Sequence, residues 1–218
     1  MEKISVIIPA FNEEENIANT IKTAKKCELV DEVLVIDNLS TDKTVEIAKQ
    51  SGARVEKCNI QGKGYAMKEG IKQARNSVVV FLDADVKYIN ESVVCDLAKP
   101  ILNGETDFVK STFDRKSGGM VTEVAIKPLL DILYPDMYKF SEPISGMIAS
   151  KREILIDFDF DHDYGVDIGI LIDVISKGYK VTEVNIGEIE NMSHVNKNPQ
   201  TMRKMSYEVM KSILKRKN

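Results

Sequence analysis

The first hundred residues alternate short apolar runs with longer stretches in which apolar side chains recur every three or four positions. The short runs predict buried strands, and the longer stretches predict amphipathic helices. Strands separated by helices predict a mainly parallel sheet with helices on both faces, in which ligands bind beyond the carboxyl ends of the strands. The predicted strands are Ile4–Ile8, Val33–Asp37, Arg54–Lys57 and Val78–Leu82, and the predicted helices are Glu13–Cys27, Thr44–Gln50 and Tyr65–Arg75.

After residue 105 the alternation is less regular. The predicted strands there are Asp107–Asp114, Ile144–Ser150 and Lys180–Ile186, and the predicted helices are Val121–Leu133, Val166–Ser176 and Gln200–Lys215. The basic chain end, Lys211–Lys217, is predicted to be a solvated helix terminus whose cations complement the helix dipole. No repeat, low-complexity tract or linker divides the chain. We therefore expect one α/β domain, residues 1–218, with a nucleotide half at 1–105 and a substrate half at 106–218.

The composition is that of an ordinary globular protein, with 43% hydrophobic and 29% charged residues among 218. A net charge of −4 argues against a general nucleic-acid surface. No apolar run approaches the roughly 18 residues that span a bilayer, so we expect no transmembrane segment and a cytoplasmic location. The three cysteines, Cys27, Cys58 and Cys95, lack CxxC spacing and are predicted to be reduced thiols.

The run Val79–Val86, VVFLDADV, is apolar until two aspartates interrupt it. Successive side chains of a strand point to opposite faces, so Asp83 and Asp85 converge only if the strand has ended and the backbone turns. Two carboxylates in such a loop suit Mg²⁺ or Mn²⁺, whose other positions are then filled by water and substrate phosphate oxygens. The simpler alternative is a solvated acidic turn.

Polar clusters follow the other strand ends as well. Asn12 fits a helix N-cap, whereas Glu13 either complements the helix dipole or points into a cleft. Asp37 lies where a carboxylate can accept hydrogen bonds from a base or a ribose. Gly62-Lys63-Gly64 can bring backbone and a cation close to a phosphate, although it is not a Walker A loop and such a tripeptide is often only a turn.

The densest acidic run, Asp157–Asp163, fails the EF-hand pattern, because His162 and Ile168 stand where Gly and Glu are needed. It is predicted to be a solvated loop with buried phenylalanines rather than a second metal site. His194 is a lone histidine in a polar stretch and becomes a metal-ligand candidate only if the fold returns it to Asp85.

Ordered motifs along the chain resemble those of the GT-A nucleotide-sugar glycosyltransferases of family 2. These motifs are PAFNEE, VIDNLSTDKT, GKG and DAD. The later segments FVKSTFDRKSGGMVTEVAIKPLLDILYPDMYKF, EPISG, YGVDIGILID and IGEIENMSH resemble the glucosyl-3-phosphoglycerate synthases. The resemblance implies a GT-A fold, a homodimer, and metal-dependent, retaining transfer of glucose from a UDP-type donor to 3-phosphoglycerate.

The resemblance also implies roles for individual residues. Donor binding falls to Pro9, Ala10, Phe11, Glu13, Asp37, Asn38, Lys63, Asp83 and Ala84. The metal ligands would be Asp83, Asp85 and His194. The acceptor-binding residues would be Gly119, Met120, Thr122 and Asn196. Asp85 would act in catalysis through the metal. Asp167 would act by orienting the acceptor or by stabilising oxocarbenium-like charge.

Four positions depart from the family pattern. Met120 stands where the family has arginine, and methionine cannot replace the bidentate hold of a guanidinium on a phosphate. Asp167 replaces a glutamate, Met147 another glutamate and Val195 a second arginine. The resemblance therefore defines the donor and leaves the acceptor open.

Two other functions stay open at this point. One is an inverting family-2 transferase acting on a polyprenyl phosphate or a polysaccharide, although a chain without tryptophan cannot carry the QxxRW motif of processive synthases. The other is a non-catalytic nucleotide-sugar-binding protein, which would not need to keep a metal site.

Overall fold

A mixed sheet with helices on both faces forms the centre of the computed structural model, which describes residues 2–88, 90–115, 119–191 and 199–217. Its strands are β1 (Ile4–Ala10), β2 (Val30–Asp37), β3 (Arg54–Lys57), β4 (Val78–Phe81), β5 (Val86–Tyr88), β6 (Phe108–Arg115), β7 (Ile148–Lys151) and β8 (Val181–Asn191). Its helices are α1 (Ile17–Ala24), α2 (Thr44–Gln50), α3 (Lys63–Gln73), α4 (Val93–Leu102), α5 (Lys127–Leu133), α6 (Arg152–Ile156), α7 (Val166–Ser176) and α8 (Pro199–Lys215). A π-helical turn, Thr122–Ile126, precedes α5, and a 3₁₀ turn, Pro135–Met137, follows it.

Within the described residues the strand order is β3-β2-β1-β4-β7-β6-β8-β5. The strands from β3 to β4 are parallel, as are β6 and β8. β7 is antiparallel to both of its neighbours, and β5 is antiparallel to β8 at the far edge. The mainly parallel, single α/β domain predicted from the sequence is confirmed.

Two layers of buried side chains cover the sheet, one on each face. In β1, Val6 and Ile8 pack with α1 and α4, whereas Ile7, between them, packs with α3 on the opposite face. Burial on both faces explains why these strands are continuously apolar, because neither face meets water. Each fully buried Ile or Val contributes about 1.5–3 kcal/mol relative to an exposed one. No helix in the described ranges is long and apolar enough to cross a membrane.

The N-cap predicted at Asn12 is wrong. α1 begins at Ile17, and Asn12 has a left-handed backbone (φ 55°). Its Oδ1 accepts a hydrogen bond of 2.8 Å from the Thr41 backbone N–H, and its own N–H donates to the Ser40 hydroxyl. Asn12 therefore joins the loops after β1 and β2, a contact that local sequence cannot reveal because the partners are about thirty residues apart.

The reduced state predicted for all three cysteines is also wrong. Cys27, just beyond α1, and Cys95, in α4, form a disulfide with Cα atoms 5.5 Å apart. Cys58 is the free thiol and is buried. The pairing depends on α1 and α4 lying on the same face of the sheet, since the two cysteines are 68 residues apart in sequence. The sequence pattern also missed β5, α4 and α6.

Candidate active site

A cleft of about 1160 Å³ opens at the carboxyl ends of β1, β2 and β4. This is the edge at which parallel α/β sheets bind ligands. The predicted site residues that line it are Pro9, Ala10, Phe11, Glu13, Asn38, Lys63, Asp83, Ala84, Asp85, Gly119, Thr122 and Asp167.

The two aspartates of the DAD motif enter this cleft from a turn. β4 ends at Phe81, and the chain turns at Ala84–Asp85 before β5 begins. The Ala84 carbonyl accepts a 3.2 Å hydrogen bond from the Thr20 hydroxyl, which fixes the turn against α1. The strand ends and the backbone turns, as predicted, so that Asp83 and Asp85 both line the cleft.

Lys63 bridges two carboxylates of the cleft. It is the first residue of α3, and its Nζ lies 2.9 Å from Asp83 Oδ1 and 2.9 Å from Asp167 Oδ2. Burial lowers the pKa of Lys63, but the two carboxylates outweigh it and hold that pKa above its ordinary value. A Cβ at Gly146 would overlap both the Lys63 amino group and the Asp83 carboxylate. Glycine is therefore what allows the loop before β7 to approach this ion pair.

Asp167 lies in the first turn of α7 and is buried. Its Oδ2 pairs with Lys63, whereas Oδ1 is, within the described residues, the buried side-chain oxygen without a hydrogen-bond partner. Buried polar atoms are normally hydrogen-bonded, and an orphan needs a reason. An acceptor oxygen in the wall of a cleft is suited to a ligand hydroxyl.

Glu13 is a cleft carboxylate with a raised pKa. Burial is the largest cause and, together with the charges of Asp85, Asp42 and Asp83 and against a hydrogen bond from Asn16, raises the pKa of Glu13 to about 7. A cation placed among these carboxylates would relieve the repulsion, so the residues present fit a divalent metal ion. In the described part of the chain no three metal-ligating side chains form a group. Mg²⁺ is often held by one or two carboxylates with water and phosphate, and His194, the third predicted ligand, lies outside the described residues.

Not every predicted residue reaches the cleft wall. Asp37 is buried, and its Oδ1 accepts a hydrogen bond from the Ser40 N–H. Asn38 lines the cleft but uses its amide to bind the Gly62 N–H and the Ile60 carbonyl. Met120 is 65% exposed and is not among the lining residues, and Asn196 lies outside the described residues.

The loop Asp157–Asp163 is part of the cleft wall, which the sequence did not predict. Phe158 and Phe160 are buried as expected. The solvated state predicted for the loop is wrong at Asp161, whose side chain is only 18% exposed. Its carboxylate binds the Ser212 hydroxyl at 2.6 Å and the Arg216 guanidinium. α8 folds back over the loop, so its basic end is not simply solvated either.

The same loop also contacts the GKG segment. The Gly64 N–H donates to the His162 carbonyl at 2.9 Å, and a Cβ at Gly64 would overlap the Asp161 carbonyl. Tyr65 and His162 are joined by a 2.8 Å hydrogen bond between the phenol and Nε2. Because these residues are about a hundred positions apart, Gly64 itself is the one feature of the local sequence that indicates this contact.

Comparisons with known proteins agree with this geometry. Residues 5–165 match the family model described as glycosyl transferase family 2. The chain is 34% identical to the glucosyl-3-phosphoglycerate synthase of Petrotoga mobilis, over 98% of this chain and 73% of the relative. It is 35% identical to that of Mycobacterium tuberculosis, over 98% and 73%.

A solved structure of the Mycobacterium tuberculosis enzyme, in complex with Mn²⁺, UDP-glucose and phosphoglyceric acid, superposes with a TM-score of 0.93 at 34% identity. The match covers 99% of this chain and 80% of that one. The sequence, the fold and the position of the cleft thus lead to the same group of nucleotide-sugar-dependent enzymes. The chain belongs to glycosyl transferase family 2.

Proposed function

We propose that this glycosyltransferase moves glucose from UDP-glucose to 3-phosphoglycerate with the help of Mg²⁺ or Mn²⁺. The observation that carries the proposal is the Lys63–Asp83–Asp167 arrangement, in which one buried oxygen of Asp167 is left for a ligand. Support comes from a relative of the same fold that was solved with Mn²⁺, UDP-glucose and phosphoglyceric acid, and from another of its structures with Mg²⁺ and UDP. The homodimer and the cytoplasmic location stay predictions.

The nucleotide would lie over the ends of β1 and β2. Phe11 is exposed at the mouth of the cleft and offers an aromatic face to a base. Pro9, Ala10 and Asn38 would complete the base and ribose contacts. The diphosphate would then reach Lys63, which is a compact cation suited to phosphate.

The metal would be held by Asp85 and His194, with Asp83 bound directly or through water. When bound, a divalent cation supplies Lewis-acid stabilisation of the charge that develops on the leaving diphosphate. Lys63 would add a second positive charge at the same place. In the transfer, the bond from the sugar C1 to the diphosphate oxygen would break, a bond from C1 to the acceptor oxygen would form, and the proton of the acceptor hydroxyl would pass to the departing diphosphate. Asp167 Oδ1 is placed to accept a hydrogen bond from a substrate hydroxyl.

The acceptor would bind between the π-helical turn and α8. Thr122 and Gly119 line this part of the cleft, whereas Met120 is exposed and does not line it. Three lysines of α8 also line the cleft and would supply positive charge to an anionic acceptor in the absence of the family's arginine, although two of them, Lys204 and Lys215, already pair with Asp163 and Asp161. They are Lys204, Lys211 and Lys215.

The direct test is transfer from ¹³C-labelled UDP-glucose to 3-phosphoglycerate with Mn²⁺ or Mg²⁺, followed by NMR of the product. We expect an α-linked glucoside, no product in EDTA, and about a 100-fold or greater loss in Asp85→Asn, because metal binding needs that carboxylate. Exposed Asp131→Asn is the matched control and should keep full activity. Product from other acceptors but not from 3-phosphoglycerate would refute the acceptor, and a β-linked product would indicate an inverting enzyme.

A further inference from the structure

Lys110 is a fully buried lysine in the middle of β6. Burying an ammonium without partners is strongly unfavourable, so such a group is retained where it makes specific contacts. Its Nζ donates to the Ser145 carbonyl at 2.6 Å and, more weakly, to the Asp167 carbonyl at 3.4 Å. None of the site roles above uses this residue.

These two carbonyls belong to the two segments that meet at Lys63. Ser145 precedes Gly146, the glycine that packs on the Lys63–Asp83 pair, and Asp167 supplies the other carboxylate. Ser111, next to Lys110 in β6, binds the Ser145 hydroxyl at 2.6 Å. β6 therefore holds Ser145 through both its carbonyl and its side chain.

The charges at this place alternate in sign, from Lys110 through Asp167 and Lys63 to Asp83. Burial is the largest influence on Lys110 and, together with the charge of Lys63, lowers its pKa to about 8 against the opposing charges of Asp167, Asp83 and Glu142. Its Nζ donates to two carbonyl oxygens, which are suitable acceptors for an ammonium group. Lys110 is thus a second cation beside Asp167, in addition to Lys63.

We propose that Lys110 is a positioning residue for sugar transfer, which fixes Gly146 and Asp167 relative to Lys63 and balances the charge of Asp167 while Lys63 binds the diphosphate. This inference rests on the proposed function only in that the cleft binds a nucleotide sugar. It does not depend on the identity of the acceptor.

The test is a double-mutant cycle with Lys110→Met and Asp167→Asn, read as metal-dependent UDP release from UDP-glucose with and without acceptor. Misplacement of catalytic groups by about 1 Å can cost 100-fold, so we expect kcat of Lys110→Met to fall by about that factor with the donor KM little changed. If Lys110 acts through Asp167, the double variant will be no slower than Asp167→Asn alone. Multiplicative losses, or a kcat of Lys110→Met within twofold of the native value, would overturn the proposal.

A control is Lys151→Met, which removes a lysine of the same sheet that pairs with Asp107 away from the cleft. It should lower stability without changing kcat. Thermal unfolding of the four proteins of the cycle needs no activity and covers the case in which Lys110→Met folds poorly. Asp167→Asn should then restore part of the melting temperature, because the buried carboxylate has lost its charge, whereas the contact of Lys110 with the Ser145 carbonyl stays lost. Additive shifts in melting temperature would show that Lys110 stabilises the core independently of Asp167, which contradicts the proposal.

An inactive native chain would refute the proposed function and leave the unfolding cycle to decide on Lys110. An active chain with an additive cycle would refute only the role of Lys110.

Discussion

Asp167 and Gly146 show what single residues contribute to this site. One oxygen of the Asp167 carboxylate pairs with Lys63, and the other is buried without a hydrogen-bond partner. Gly146 contributes by having no side chain at the point where Lys63 and Asp83 meet. The motifs of the sequence predicted Lys63, Asp83 and Asp167 as site residues. They could not predict the contact with Gly146, which exists only because β7 lies beside β4.

Gly146→Ala is therefore expected to weaken binding of UDP with Mn²⁺ by about tenfold or more, since overpacking typically costs 1–3 kcal/mol and here displaces Lys63. Isothermal titration calorimetry measures this directly. Gly104→Ala is the control, because Gly104 has a positive φ, 72°, but a Cβ added there would meet nothing within 4 Å. It should cost about 1 kcal/mol of stability and leave UDP binding unchanged. Equal UDP affinity in native protein and Gly146→Ala would contradict the steric role of Gly146.

At the scale of elements, one ion network joins α7, α8 and the loop before α7. Arg216, 9% exposed, binds Asp161 of the loop and, at 2.9 Å, Asp173 of α7. The pattern predicted α7 with the bounds observed and α8 to within one residue. It could not predict the network, because charges 55 positions apart in sequence look solvated unless the fold is known.

Arg216→Met is expected to cost about 2–3 kcal/mol at pH 7, because it leaves two partly buried carboxylates without their shared cation. Burial raises the pKa of Asp161, but hydrogen bonds and charges from Ser212 and Arg216 outweigh it and hold that pKa below its usual range. A carboxylate whose pKa is depressed in the native state stabilises the fold at pH values above its unfolded-state pKa. This stabilisation is lost as the pH falls through the native pKa. The difference in unfolding free energy between native protein and variant should therefore shrink below about pH 4.

Urea unfolding of both proteins between pH 3 and pH 8 measures this difference. Lys177→Met, at the end of α7, is the control and should show no such pH dependence. A difference that stays constant through acid pH would mean that Arg216 acts by packing and not by charge.

At the scale of the whole molecule, a disulfide ties α1 to α4 on one face of the sheet. The alternation of strands and helices was sufficient to predict the sheet, because burial on both faces is visible in every strand. The disulfide was not predictable, because cysteine spacing carries no information on which helices become neighbours.

Removing this crosslink with Cys27→Ser and Cys95→Ser is expected to lower stability by about 2–4 kcal/mol, because a long loop of the unfolded chain is no longer closed. Chemical denaturation with and without dithiothreitol measures the effect, and reductant should act on the native chain but not on the double variant. Under denaturing, non-reducing conditions one thiol, that of Cys58, should react. Three reactive thiols would show that the crosslink does not form.

The antiparallel insertion of β7 between β4 and β6 also bears on how this family can be recombined. A crossover near residue 105 would take β4 from one parent and β7, its neighbour, from another, and it would divide β5 from β8 in the same way. Each chimera would thus need the β4–β7 and β5–β8 strand pairs and the Gly146 contact to fit between two halves taken from different parents. We expect new acceptor preferences to arise more readily through substitutions around Thr122 and on α8 than through exchange of whole halves.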